Sequence, residues 1–158
     1  PKDRKFNNNE GTIIELAGVK HRYHCPLSRT VYIGKPDEKT LDTMKITNDG
    51  LEEAIRTTKP GNTAQDVAKS FWSVLAKHGL QKESRLGYAT GIGYPPDWGE
   101  HTMSIRINDK TILQPNITFH MIAGMWMDTW GIEISETIRV TENGCEAFCN
   151  LSRNLYTI

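Results

Sequence analysis

Residues 88–101 constrain this chain more than any other stretch. Fourteen positions hold Gly91, Gly93, Gly99, Pro95, Pro96, two tyrosines, Trp98, Asp97 and Glu100. Glycine and proline at this density punctuate a backbone, so the stretch is predicted to be a shaped loop, neither helix nor regular strand. Tyr88, Tyr94, Asp97 and Trp98 on such a loop are candidates for lining a substrate pocket, because a scaffold fixes their backbone and leaves their tips free. The competing reading is a long surface connection in which Tyr94 and Trp98 cover an edge of the core.

The rest of the composition narrows the partners. With 158 residues, 37% of them hydrophobic, the chain can bury one core, so residues 1–158 are expected to form a single domain. Basic and acidic residues balance at 19 each, which leaves no basic field for a nucleic-acid backbone. No apolar run nears the ~18 residues of a membrane span, and no signal-peptide pattern opens the chain. Cys25, Cys145 and Cys149 are odd in number and form no zinc pattern. Free thiols in a reducing, cytoplasmic compartment are therefore expected. The first residue is Pro1, which points to a longer protein upstream.

In order, residues 1–11 read as a polar, flexible lead-in. Residues 12–23 and 27–34 read as strands that pair in a hairpin. Glu15 lies inside the first apolar run, and an unpaired buried carboxylate is costly, so it needs a partner, a raised pKa or a task. The plain alternative is an edge acid facing water. Leu41, Met44, Asn48, Leu51 and Ile55 give helical spacing over 37–57. After Pro60-Gly61, Thr63 and Asp66 read as a helix N-cap, Val67, Phe71, Val74 and Leu75 as its buried stripe, and Gly79 as its end. Strands follow at 102–107, 117–126 and 131–140, the last two carrying His120, and Glu133 with Ser135 and Glu136. Period-two alternation places His120 with Ile122, and Glu133 with Ser135. For His120 the alternative is a core histidine satisfied by a backbone carbonyl; for Glu133 it is an ion pair with Arg139 or another base. The sum is an α+β layout, with helices on one side of a curved, mainly antiparallel sheet.

Four segments carry a resemblance to the pita-bread superfamily of metalloaminopeptidases, prolidases and creatinase. They are Ile14-Glu15-Leu16-Ala17-Gly18 through Tyr23-His24-Cys25-Pro26-Leu27-Ser28-Arg29-Thr30, then Lys59-Pro60-Gly61, then residues 113–119, and finally residues 131–137. The resemblance implies a pita-bread fold, here lacking the family's N-terminal domain and first helices, in a chain that assembles as a homo-oligomer. Peptidases of the family hold two metal ions with two aspartates, a histidine and two glutamates. Those positions fall on Glu15, Pro26, Tyr88, Ile122 and Ser135, which retain one carboxylate; no metal and no cofactor are expected.

Within the superfamily the chain resembles the ectoine hydrolases, through Tyr94-Pro-Pro-Asp-Trp-Gly-Glu, Phe119-His120, Trp126-Met127-Asp128 and Trp130-Gly131. That resemblance implies a small-molecule substrate, a cyclic amidine, opened to N-acetyl-2,4-diaminobutyrate by hydrolysis of a carbon–nitrogen bond. Glu15 is then the candidate nucleophile or base, His120 its acid–base partner, and Glu133 or Tyr88 the group that orients the ring. Carboxylates such as Asp97 can pair with amidinium nitrogens, and Trp98 or Tyr94 can cover the cationic face. Two other readings stay open: an Xaa-Pro-type metallopeptidase, and a catalytically silent module that binds a peptide or protein.

Overall fold

The computed structural model describes residue 3 and residues 5–158. Strands β1 (Glu10–Lys20) and β2 (Tyr23–Ile33) pair antiparallel along their whole length. They turn at His21 and Arg22, both at positive φ (51° and 69°), the handedness that lets a two-residue turn follow the strand twist. The expected hairpin is present, and β1 begins at Glu10, within the predicted lead-in.

Helices α1 (Glu38–Thr57) and α2 (Ala64–Lys77) start where their caps are written. Asp37 accepts from Thr40 N at 2.7 Å. Thr63 and Asp66 form a reciprocal capping box, at 3.2 Å from Asp66 N and 2.9 Å from Thr63 N. The buried stripe of α1 departs from the apolar spacing: Leu41 is exposed, whereas Thr43 and Thr47 are buried. Their hydroxyls donate one turn back, to Lys39 O and Thr43 O, which removes the penalty of burying them. The helices meet where Gly50 lies against Phe71, and a Cβ at Gly50 would stand 3.0 Å from that ring. Gly50→Ala should therefore lose about 1–3 kcal/mol to overpacking against about 1 kcal/mol of helix propensity gained. A lower melting temperature is expected; an unchanged one would show that Phe71 steps aside.

Residues 88–101 are the main correction to the sequence reading. They form most of a β-hairpin, β3 (Gly87–Tyr94) with β4 (Asp97–Ile105), closed by Pro95-Pro96. The glycines are there for space. A Cβ at Gly99 would stand 3.3 Å from the Tyr88 ring, one at Gly93 3.3 Å from the His24 ring, and one at Gly91 would collide with the Glu100 carboxylate. Two register shifts absorb the irregularity.

β5 (Thr118–Trp126) and β6 (Gly131–Val140) pair along their full length. The sheet then runs β1-β2-β3-β5-β6-β7, where β7 is Cys145–Ala147, with β4 on β3 and the short β8 (Tyr156–Thr157) parallel to β2. Alternation divides it cleanly. Phe119, Met121, Ala123 and Met125 share the core with Ile132, Ile134, Ile138 and Val140, and with Leu51, Phe71 and Leu75 of the helices. His120, Ile122 and Gly124 turn the other way, with Glu133, Ser135 and Thr137 paired opposite them.

On that second side β2 lies across β6 without a backbone ladder. Hydroxyls stitch them instead. Thr30 Oγ1 donates to Glu133 O (2.9 Å) and accepts from Glu133 N (2.8 Å). Ser28 N donates to Ser135 Oγ (2.7 Å), and Thr137 Oγ1 donates to Pro26 O (2.7 Å). Pro26, which has no N–H to give, needs only its carbonyl here. The seam curls the sheet into a half-barrel and fixes which side chains meet inside it.

Candidate active site

Glu15 pairs with Ser28 in the β1–β2 ladder, so both turn toward the seam. Tyr88 pairs with His120, Ile122 with Ser135, and Gly124 with Glu133. Ladder register together with the β2–β6 seam thus brings Glu15, Tyr88, His120, Ser135 and Glu133 to one concave row, although up to 120 residues separate them.

At the centre is His120, fully buried. Its Nδ1 lies 3.0 Å from Tyr88 Oη and its Nε2 2.7 Å from Ser135 Oγ. Burial holds its pKa down at about 3, so the ring is neutral at neutral pH. Its partners are two hydroxyls, not the backbone carbonyl of the core-histidine alternative. A neutral imidazole has one donor and one acceptor, so one hydroxyl donates to it and the other accepts. Tyr88 Oη already accepts from Trp98 Nε1 (2.7 Å) and Ser135 Oγ from Ser28 N. Whichever hydroxyl also accepts from the ring keeps its own proton for a further partner.

Glu15 Oε1 lies 4.0 Å from His120 Nδ1, outside hydrogen-bond range, and its side chain is 35% exposed. Desolvation and then the Glu133 charge raise its pKa. Glu133 is 4% exposed. Burial raises its pKa against the opposing pull of the Ser28 side chain and Lys82. Among the described residues neither Glu133 Oε1 nor Ser28 Oγ completes a well-formed hydrogen bond, although the two side chains lie near enough for Ser28 to lower the Glu133 pKa, so this wall of the row holds two buried polar atoms with capacity to spare. The alternative ion pair with Arg139 is not formed; Arg139 pairs with Glu146 at 2.7 Å.

The four residues expected to bind substrate divide. Tyr88 and Trp98 belong to the row and, with Asp97, also border an outer cavity of about 320 Å³. Asp97 turns its carboxylate to Gly99 N (2.9 Å) and His101 (3.2 Å), which lowers its pKa. Tyr94 is 69% exposed at the hairpin end, held by the Arg22 guanidinium. It lies beyond the row, because β3 runs six residues past Tyr88 before turning.

Glu136, beside Ser135, faces the opposite way. It is fully buried in an ion pair with Arg29 (2.6 Å), joined by Arg153 (2.9 Å). Lys82, 7% exposed, has no place in the sequence reading, because nothing in its neighbourhood of Gln81 and Glu83 marks it as buried. The fit to a dinuclear metal centre fails on donor chemistry. Pro26 and Ile122 offer no donor atom, and Ser135 Oγ is already shared between His120 and Ser28 N. Among the described residues no three His, Cys, Asp or Glu side chains group as metal ligands.

The chain is 44% identical over 155 residues to the ectoine hydrolase of Halomonas elongata, covering 98% of this chain and 39% of that protein. It is 23% identical to the Xaa-Pro dipeptidase of Pyrococcus horikoshii, covering 97% and 43%. The dipeptidase PepE of Mycobacterium ulcerans superposes with a TM-score of 0.92 at 24% identity, over 99% of this chain and 42% of that one. The chain therefore spans about two fifths of the length of these relatives. The description of metallopeptidase family M24 matches residues 1–142, and with nine tenths of its length so matched, this pita-bread chain belongs to that family.

Proposed function

We propose that this chain supplies the reacting face of a metal-independent amidine hydrolase that opens ectoine to N-acetyl-2,4-diaminobutyrate. One observation carries the reading: the concave row gathers two carboxylates, Glu15 and Glu133, around a hydroxyl–imidazole–hydroxyl chain, while of the five positions on which the family's metal ligands fall by resemblance only Glu15 keeps a carboxylate. The identity to the Halomonas elongata ectoine hydrolase supports the choice of substrate.

The residues fit the chemistry. An amidinium spreads its positive charge over two nitrogens, and Glu133, with an unpartnered oxygen, can receive one of them. Glu15, raised in pKa and partly open to solvent, can take a proton from water as its oxygen bonds to the amidine carbon. The ring carbon–nitrogen bond then breaks, and the departing nitrogen takes a proton from the Glu15 carboxylic acid. Tyr88 or Ser135, whichever keeps its proton free, donates a hydrogen bond to the developing tetrahedral centre. His120 acts in its neutral form, as the link that sets which hydroxyl is free.

The test is to incubate the protein with ectoine and follow the ring-opened product by NMR, with and without a chelator. Ring opening that survives the chelator is expected. Cleavage of Xaa-Pro dipeptides that needs added manganese or cobalt, with ectoine untouched, would overturn the reading.

A further inference from the structure

Lys82 is a buried cation with no part in the chemistry above. It lies between α2 and β3, where Trp72 Nε1 holds its carbonyl at 2.7 Å. β3 pairs with β5 only as far as Gly87 and Met121, and the last bond is Ile122 N to Leu86 O. Beyond it the edge of β5 has no strand beside it, and a buried Gly124 carbonyl would be left unpaired. Lys82 Nζ donates to Gly124 O (2.9 Å) and to Ser84 Oγ (2.7 Å).

Across the ladder Gly124 faces Glu133, and a Cβ at Gly124 would stand 3.1 Å from Glu133 Oε2. A Cβ there would also stand 2.7 Å from the Trp126 ring, so only a glycine leaves room for the indole and the carboxylate, while its carbonyl holds the Lys82 ammonium. Around Glu133 stand Glu15 from β1, Ser28 from β2 and Tyr88 from β3; Arg85 lies over the Tyr88 ring at 4.5 Å, and Lys82 is the cation that acts on Glu133 itself. Burial lowers the Lys82 pKa to about 8, against the raising influence of Glu133. The ammonium form still predominates at neutral pH.

We propose that Lys82 is the positioning residue of the site, anchoring β5 at Gly124 and keeping Glu133 an anion that faces the concave row, ready for a cationic substrate nitrogen. The substrate half of this rests on the amidine reading; the charge on Glu133 does not.

The experiment is a carboxyl-carbon NMR titration of Glu133, assigned by its loss in Glu133→Gln, in the wild type, Lys82→Met and Lys82→Arg. The Glu133 midpoint should rise in Lys82→Met and return in Lys82→Arg. KM for ectoine should rise roughly tenfold in Lys82→Met, as for a lost charged hydrogen bond, with kcat changed less. A midpoint unmoved in Lys82→Met would overturn the proposal. Should that variant not fold, Glu133→Gln offers the reciprocal measurement, in which the Lys82 midpoint must fall; an unmoved Lys82 would equally overturn it. A Glu133 midpoint that shifts as expected in a protein that leaves ectoine intact supports the Lys82 assignment and sinks only the amidine reading.

Discussion

Glu15→Gln is expected to lower ectoine turnover about 10²–10⁴-fold, the usual contribution of a positioned acid–base group, while making the protein more heat-stable at neutral pH. Both effects come from one placement. Glu15 is partly withdrawn from water and faces the Glu133 charge, so the fold disfavours its ionised form. A carboxyl whose folded pKa is raised contributes stability that is fully present below the unfolded value of 4.5 and is lost as pH rises through the folded value. The wild type therefore carries at pH 7 a penalty that the neutral amide relieves. Calorimetry at pH 4 and pH 7.5 separates the cases: the stabilisation should be present at the higher pH and shrink at the lower. Wild-type turnover in Glu15→Gln would remove the residue from the mechanism, and a variant less stable at both values would mean its contacts are structural.

Arg29→Met should cause the largest loss of stability, about 3–5 kcal/mol, because it breaks a buried ion pair, leaves Glu136 with Arg153 as its remaining counter-charge and strips four backbone carbonyls of their donor. Arg29 uses its guanidinium fully. Nε donates to Ser152 O (2.9 Å), Nη1 to Ser28 O (2.8 Å) and Ser135 O (2.6 Å), and Nη2 to Glu136 (2.6 Å) and Leu151 O (3.0 Å). It thereby ties β2, β6 and the chain's last residues together directly behind Ser28 and Ser135. Through Glu136 the network continues to Arg153 and to Glu52 of α1. Denaturant unfolding measures the loss, and Arg29→Met with Glu136→Leu should recover part of it, since both charges are then gone. A single variant within 1 kcal/mol of wild type would show that water reaches Glu136.

Local signals made the scaffold readable. Asp37 and Thr63 announce helix starts, Gly79 announces a stop, and the alternation in β6 marks its two faces. The failure at residues 88–101 has a physical reason: each glycine there answers to a side chain that strand pairing brings up, Glu100 or Tyr88 from across the hairpin or His24 from β2, which a local reading takes for loop chemistry. The residues that meet in the concave row, Glu15, Tyr88, His120 and Glu133, could each be singled out in the sequence, but their arrangement could not. The bond between Ser28 and Ser135 spans 107 residues, and nothing near either serine announces it. Tyr94 was misplaced because its neighbours in sequence suit a pocket while the hairpin carries it past one.

The stitching of β2 to β6 has a mechanical side. A continuous ladder resists separation along its whole length, whereas Thr30, Ser135 and Thr137, with Arg29 behind them, fasten this junction at separate points through side chains. Breathing of the half-barrel is cheapest along such a clasp. Glu15 and Ser28 ride on one side of it, Ser135 and Glu133 on the other. The clasp that holds the reacting groups in register is therefore also the line along which they would part to admit a molecule to the buried Glu133 oxygen.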